Sequence, residues 1–410
     1  MKVSVRGSLF DLLAFRGLPG KRRKRFKKAS ARPLPVHTVN ELAQLIHPPK
    51  LDLVVTGIRD ETRTTRTFKL APAPASETGA LPCFRAGQYL SLKATVDGAR
   101  ISRPYSISSA PFEASGRDGF YEITLRRIDG GFFSDHVWNN WAVGTPVQSS
   151  SPVGLFYHEP LRDTGKIVGL AGGSGVTPFR SMAREIAFGD LEAELLLLYG
   201  SSDQNDIVFR DELEELESRS AGKLRVVHVL SGETALSGAT ASLDGCEQGL
   251  ITAELIERHA DTKNSSFFVC GPELMYRFLE AELAKLDLPR RRVRREVWGE
   301  LSDVAGQPGF PPEAAGRTFQ MKVKTGGVSS EIPSRATETI LVAMERASLA
   351  SPSSCRSGEC GFCRSLLLEG DVFVAPDRDG RRVADRRLGY IHPCSTYPVS
   401  DLELEAPGEA

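Results

Sequence analysis

Ser354-Cys355-Arg356-Ser357-Gly358-Glu359-Cys360-Gly361-Phe362-Cys363 sets three cysteines at C-x4-C-x2-C spacing, and Cys394 follows after thirty residues. This is the plant-type ligand pattern of a [2Fe–2S] cluster, in which each iron takes two thiolates beyond the bridging sulfides. Three ligands come from one tight loop, where Gly358 and Gly361 let backbone N–H groups turn toward sulfur. The fourth, in His392-Pro393-Cys394-Ser395, arrives from a separate segment. Structural zinc sites favour paired short spacings, not three clustered cysteines and one remote. A Rieske centre needs two His with two Cys, and four Cys already fill this site. Cys355, Cys360, Cys363 and Cys394 are therefore the expected iron ligands.

Around this loop the chain reads as a small α+β domain over residues 317–410. Two alternating stretches, 318–324 and 328–332, flank Gly326-Gly327, a hairpin signal. Residues 337–347 carry a helical apolar pattern, with Thr337 and Thr339 available to cap its start. Strands are expected at 364–368 and 401–405. Upstream, residues 300–316 are rich in Gly, Pro and Ala without periodicity and read as an interdomain linker.

The chain has 410 residues, 40% hydrophobic and 25% charged, enough for about two to four domains. No apolar run reaches transmembrane length. Seven cysteines, four at ligand spacing, argue against a disulfide scaffold and for a reducing compartment, with cytoplasm the expected location. The net charge of zero hides an asymmetry: residues 1–30 hold ten Lys/Arg against one Asp. The basic run Gly20-Lys21-Arg22-Arg23-Lys24-Arg25-Phe26-Lys27-Lys28 follows a short apolar patch of Leu9, Phe10, Leu12, Leu13 and Phe15. Arg22-Arg23 has no apolar segment after it, which excludes twin-arginine export. A solvated tail is the favoured reading of residues 1–30, ahead of a peripheral membrane contact. Aromatics are not interleaved in the run beyond Phe26, which argues against nucleic-acid binding. Residues 1–48 thus read as a basic extension and linker, with a short helix near 39–46.

Residues 49–160 hold six short alternating stretches (51–58, 65–70, 89–95, 102–108, 119–127 and 145–149) separated by Gly and Pro, the pattern of an antiparallel β-barrel. Over 161–299 the rhythm changes. Apolar strands at 167–171, 195–199, 224–230 and 266–269 alternate with helical stretches at 179–188, 208–216 and 273–286, as in a doubly wound parallel sheet. The fold class is thus multidomain: a β-barrel, an α/β doubly wound domain and a β-grasp-like α+β domain. Ligands of doubly wound sheets bind at the carboxyl ends of the strands, where Gly172-Gly173-Ser174-Gly175-Val176-Thr177-Pro178 falls.

Arg103-Pro104-Tyr105-Ser106 lies in the fourth barrel strand and offers a cation, a flat ring and a hydroxyl. Its order with the Gly172–Pro178 turn and Cys270-Gly271-Pro272-Glu273-Leu274-Met275 resembles the ferredoxin–NAD(P) reductase/flavodoxin reductase superfamily over residues 51–298. With the ferredoxin-like part, the chain is similar to reductases that carry a C-terminal plant-type ferredoxin domain, such as the reductase components of Rieske oxygenases and hybrid-cluster-protein reductases.

The resemblance implies roles. Arg103 would contact flavin phosphates, Tyr105 the isoalloxazine, and Ser106 the region of N5. Gly131 and Ser134 of Gly131-Phe132-Phe133-Ser134 would hold the pyrophosphate at a helix start, which favours FAD over FMN. Gly172, Gly173, Gly175 and Thr177 would line the nicotinamide nucleotide site, with Gly271 and Pro272. Cys270 would lie beside the nicotinamide and assist hydride transfer, and Glu296 could relay a proton, with Trp298 covering the flavin. Gly87-Gln88-Tyr89 would be chiefly structural. Ser202 and Asp203 stand where NADPH-binding relatives carry Arg, which favours NADH over NADPH.

The function so implied is an NAD(P)H-dependent reductase passing electrons from hydride through FAD and the cluster to a separate acceptor protein, docking near Arg356 and Phe362. The alternative is a non-catalytic relay subunit of a larger redox complex.

Overall fold

Alternation of apolar and polar residues sets the first sheet. In β1 (Leu51–Thr62), Leu51, Leu53 and Val55 are buried while Asp52 and Val54 are half-buried. The computed structural model describes residues 9–28, 38–74, 76, 78–232, 246–349 and 352–408. The chain forms two compact units, residues 1–45 and 46–410. Among the described residues no helix is long and apolar enough to cross a membrane.

The first unit differs from the sequence expectation. The basic run lies on a helix, Leu9–Lys27, with Lys24, Arg25 and Lys27 in its last turn. Cations there complement the negative end of the helix dipole. The rest of the expected tail, residues 1–8 and 29–30, and the lead-in over 31–37 lie outside the described residues. A second helix spans Thr38–Ile46.

In the second unit, β1 joins β2 (Thr65–Pro72), β3 (Tyr89–Val96), β4 (Ala99–Ser106), β5 (Tyr121–Arg126) and β6 (Pro146–Ser149) in the order β4-β3-β6-β1-β2-β5. All pairings are antiparallel, and a bridge between Ile107 and Ile123 brings the two edges together, which gives the barrel. Leu90, Leu92, Phe68, Leu70, Ile123 and Leu125 fill its core.

The second sheet is parallel: β7 (Lys166–Gly172), β8 (Glu194–Ser201), β9 (Leu224–Leu230), β10 (Glu247–Gln248), β11 (Ser265–Cys270) and β12 (Val293–Glu296), in the order β10-β9-β8-β7-β11-β12. The chain reverses its direction of travel between β7 and β11, and that switch point is where a ligand crevice opens.

The third sheet runs β14 (Val328–Arg335), β13 (Thr318–Thr325), β17 (Leu402–Glu405), β15 (Ser365–Glu369), β16 (Tyr390–Ile391), with the helix Ile340–Arg346 against it. Gly326 and Gly327 have φ of 57° and 82°, the conformation a two-residue hairpin turn needs at both centres. Thr339 caps the helix by accepting the Val342 N–H at 3.3 Å. Residues 300–316 connect the parallel sheet to the third sheet and are anchored at three points. Val304, Phe310 and Ala314 are buried with Phe319, Phe373 and Tyr397.

Barrel and parallel sheet are joined by charge. Arg180, on the helix Thr177–Phe188, is 2% exposed; it donates to Ser108 O at 3.0 Å, to Glu122 at 2.6 Å and to both Glu212 oxygens at 2.9 and 3.0 Å. Burial opposes its charge, but the Glu212 and Glu122 carboxylates outweigh that and raise its pKa. Removing the cation leaves two carboxylates facing each other across the interface. Arg180→Ala should therefore lower the stability of the barrel–sheet unit by about 3–5 kcal/mol, read as a shift in the urea midpoint, with Arg180→Lys intermediate.

Candidate active site and cluster loop

The carboxyl ends of the parallel strands carry the residues singled out in the sequence. β7 ends at Gly172, and the turn that follows passes so near β11 that a Cβ on Gly175 would lie 2.2 Å from the Cys270 carbonyl oxygen. Only glycine fits there. Thr177 donates to Ser174 O at 3.0 Å and closes the turn. A cavity of about 380 Å³ opens over these strand ends. Gly172, Gly173, Gly200, Ser201, Pro272 and Met275 are among its lining residues. Gly175, Thr177 and Cys270 lie behind that wall, and Gly271 packs against Gly172. The cavity's size and glycine-lined floor suit a nucleotide.

Cys270 and Glu296 are register partners on β11 and β12. Both are buried. Glu296 Oε2 accepts from Ser106 Oγ at 3.0 Å, so β4 of the barrel meets β12 of the parallel sheet at this point. Burial first, and the Glu359 carboxylate as well, push the Glu296 pKa well above the ordinary range, against the Ser106 hydrogen bond. Burial, and then Glu296, push the Cys270 thiol up as well. The site therefore holds a neutral thiol and a carboxyl that favours its proton. Tyr276 adds a third group: its hydroxyl accepts from Gly271 N and donates to Glu296 O.

On the barrel, Tyr105 stacks near Phe133, with ring centroids 5.9 Å apart and planes at 28°. The helix Ser134–Asn140 begins at Ser134, but its hydroxyl is engaged by the backbone of Ile128. Gly131 N donates to Ile128 O at 2.8 Å, closing the same turn. Arg103 is half-buried, and burial first, then Arg356, lowers its pKa. Its Nη1 lies 3.6 Å from Glu345.

The cluster loop packs against this site. Tyr89, the register partner of Ser106, shares a hydrogen bond of 3.1 Å with Ser354, next to Cys355. The same ring meets Trp298 edge-on at 4.9 Å. Ser102 and Ser353 share a hydrogen bond a few residues away.

Backbone N–H groups point at sulfur in the loop: Ser357 N and Cys360 N lie 3.5 and 3.4 Å from Cys355 Sγ, and Phe362 N lies 3.4 Å from Cys360 Sγ. Cys363 Sγ is 3.4 Å from Cys394 Sγ, and Cys355 is hydrogen-bonded with Cys360 and Cys394. All four sulfurs are thus gathered. Among the described residues no three His, Cys, Asp or Glu side chains are set to hold a single metal ion. Four gathered thiols with N–H donors suit a two-iron cluster, which takes two cysteines at each iron.

Comparison with known proteins agrees with this division. The oxidoreductase FAD-binding domain family matches residues 52–158, the oxidoreductase NAD-binding domain family 170–281, and the 2Fe-2S iron-sulfur cluster binding domain family 323–399. The chain is 28% identical over 361 residues to the ferredoxin reductase component of 3-ketosteroid-9-alpha-monooxygenase from Rhodococcus rhodochrous, covering 86% of this chain and 96% of that protein. It is 26% identical over 331 residues to the glycine betaine monooxygenase reductase subunit from Pseudomonas aeruginosa (strain UCBPP-PA14), covering 78% and 87%. Its fold is similar to that of phthalate dioxygenase reductase, with a TM-score of 0.59 and 24% identity over 87% of this chain and 98% of that one. The chain belongs to the ferredoxin–NAD(P) reductase superfamily, with a C-terminal [2Fe–2S] domain. It is an NAD(P)H-dependent oxidoreductase that binds FAD and a [2Fe–2S] cluster.

Two expectations for the reductase need correction. Arg356, expected on the docking surface, is 1% exposed; it donates to Glu345 at 2.6 Å and Glu300 at 2.5 Å. A buried cation held by two carboxylates cannot meet a partner. Asp203, expected to face the nucleotide, does not line the cavity; its carboxylate accepts Asn205 N at 2.9 Å and caps a turn. Tyr89, Tyr276 and Glu345 were not expected as site residues. Gly87-Gln88-Tyr89 signals only a strand entry, and no local pattern marks a buried glutamate on a helix.

The raised Glu296 pKa has a stability consequence. The folded reductase holds a proton there that the unfolded chain releases in the ordinary carboxylate range, so this group's contribution falls as pH rises toward the folded pKa. Glu296→Gln should remove that fall. Urea midpoints of wild type and variant should diverge between about pH 5 and about pH 8, with the variant the more stable at the higher pH.

Proposed function

We propose that this chain is the reductase component of an oxygenase system, taking hydride from NADH and delivering single electrons to a separate oxygenase through the cluster. The observation that carries it is the meeting of three elements at one point. The buried Ser106–Glu296–Cys270 group lies behind the nucleotide cavity, and Tyr89 joins that region to Ser354 of the cluster loop. The relatives named above are reductase components of oxygenases, which supports the acceptor class. Bound flavin supplies the chemistry that links the parts, exchanging two electrons with a nicotinamide and one at a time with an iron–sulfur centre.

In this reading each residue has a task. Cys355, Cys360, Cys363 and Cys394 hold the iron. Arg103, Tyr105 and Ser106 position the flavin, with the Gly131–Ser134 turn at its phosphates, which supports FAD over FMN. Gly172, Gly173, Gly175, Thr177, Gly271 and Pro272 shape the nucleotide floor. Cys270 and Glu296, both favouring their protons, put no negative charge behind the cavity wall where a hydride departs.

NADH is the nucleotide this cavity suits. Ser201 and Ser202 line it, and the one cation among the described residues that line it, Arg126, is paired with Asp206, which is also bound by Thr64 at 3.0 Å. The segment 233–245 follows a strand that borders the cavity and contains no Lys or Arg. A 2′-phosphate would find no free cation among these groups. The acceptor docks where the cluster is nearest solvent, at exposed Cys360 and at Phe362, which is 61% exposed. Four of the seven cysteines serve the cluster and none of the seven is paired in a disulfide, which supports a reducing, cytoplasmic setting.

Anaerobic titration of the reconstituted protein with NADH, followed by visible absorbance and low-temperature EPR, tests the reading. NADH should bleach the flavin and produce the signal of a reduced [2Fe–2S] cluster, at a kcat/KM about tenfold or more above that for NADPH. Ser202→Arg should narrow that ratio, and Cys363→Ser should abolish the cluster signal while the flavin still bleaches. A cluster reduced by dithionite but by neither nucleotide would establish a relay subunit instead.

A further inference from the structure

Burial of Arg356 leaves open which charges surround the exposed side of the cluster. Between residues 317 and 410, 12 Lys/Arg stand against 13 Asp/Glu, so the domain as a whole is nearly neutral. Within it, residues 378–387 concentrate five Arg against two Asp. Both acids are spent internally. Asp379 binds Arg381 at 2.8 Å and Arg386 at 3.5 Å; Asp385 is buried, binds Arg364 at 3.0 Å and accepts the Arg382 N–H. Arg382 and Arg387 are exposed, and among the described residues neither has a carboxylate within salt-bridge distance.

This segment is seated on the cluster loop. A Cβ on Gly380 would lie 2.4 Å from Gly358 O and 2.9 Å from Glu359 Cα, so the two backbones are in direct contact. Arg364, the residue after Cys363, ties the helix Val383–Arg387 down through Asp385. Val383 and Leu388, 58% and 66% exposed, lie among the arginines. Apolar side chains with arginine around them are the usual make-up of a transient protein interface. Glu359, the loop's own acid, leaves the excess of cations in place.

We propose that the electron acceptor docks through an acidic patch onto the face formed by Arg382, Arg386 and Arg387 beside the cluster loop. The inference rests on the reading that the cluster serves a separate protein. These cations, with Arg382 and Arg387 unpaired among the described residues, would steer an acidic partner toward the cluster and fail to steer a basic one.

The test uses the full-length holoprotein, reduced with dithionite and freed of excess, and two probe acceptors. One is the soluble haem domain of cytochrome b5, acidic around its haem edge; the other is cytochrome c, basic around its own. Arg382→Glu and Arg387→Glu, each alone, should slow cytochrome b5 reduction by about three- to tenfold at low salt and speed that of cytochrome c, with both effects shrinking at about 0.3 M salt. The same charge change at the remote, exposed Lys223 should move either rate by less than about twofold. Wild-type cytochrome b5 rates in both variants, with the cluster EPR signal intact, would overturn the proposal, as would an equal effect from Lys223→Glu. Should a reversal disturb the cluster signal, Arg387→Gln gives the same comparison with a smaller expected change. Failure of the underlying reading shows separately, as a cluster that NADH does not reduce before any acceptor is added.

Discussion

A buried cation holds the cluster loop in place. Arg356 sits immediately after the first cluster cysteine with φ of 56°, a conformation non-glycine residues rarely adopt. Its guanidinium is spent on Glu345, from the helix Ile340–Arg346, and Glu300, from the segment leaving the parallel sheet. Burial opposes the charge, but the two carboxylates outweigh it and raise the pKa, so the cation is retained. Glu345 also faces Arg103 of the barrel at 3.6 Å. One alternating run, Glu300–Arg356–Glu345–Arg103, thus touches all three domains. Removing Arg356 leaves the buried Glu345 and the half-buried Glu300 without that cation, which is costlier than losing a surface ion pair.

What this run positions is an electron line built from short contacts. Serines at 102, 353 and 354 and the Tyr89 hydroxyl stitch the barrel to the loop. Trp298 packs on Tyr89, and Ser106 reaches Glu296 from the opposite sheet. Glu359 of the loop is near enough to Glu296 to bear on its proton affinity. The nucleotide cavity is lined by the strand ends of the parallel sheet, with none of its lining residues from the cluster loop, while Cys360 and Phe362 of that loop are exposed. Arg180 does for the barrel and parallel sheet what Arg356 does for the loop.

Sequence carried the parts better than their joints. The cysteine spacing, the alternating strands of the barrel and the βα rhythm after Lys166 are local patterns, each written in consecutive residues. The Gly172–Pro178 turn was legible because a glycine at 175 is forced by the approach of the Cys270 backbone. Arg356 misled, because an arginine in a glycine-rich loop looks exposed until Glu300 and Glu345, 56 and 11 residues away, are brought to it. Residues 300–316 show the same limit: Gly, Pro and Ala suggest a linker, and only the fold shows that Val304 and Phe310 anchor it. The basic run at 21–28 lacks an apolar stripe, so periodicity gave no sign of its helix.

Flavin and cluster domains belong to one chain and one packed unit. The most direct measurement is the rate at which the cluster takes electrons from the flavin after anaerobic stopped-flow mixing with NADH. The account predicts a first-order rate unchanged by about tenfold dilution and by salt from about 0.02 to about 0.3 M, because the contact is covalently tethered and its charges are buried. A rate that falls in proportion to protein concentration would mean that electrons pass between molecules, and would contradict it.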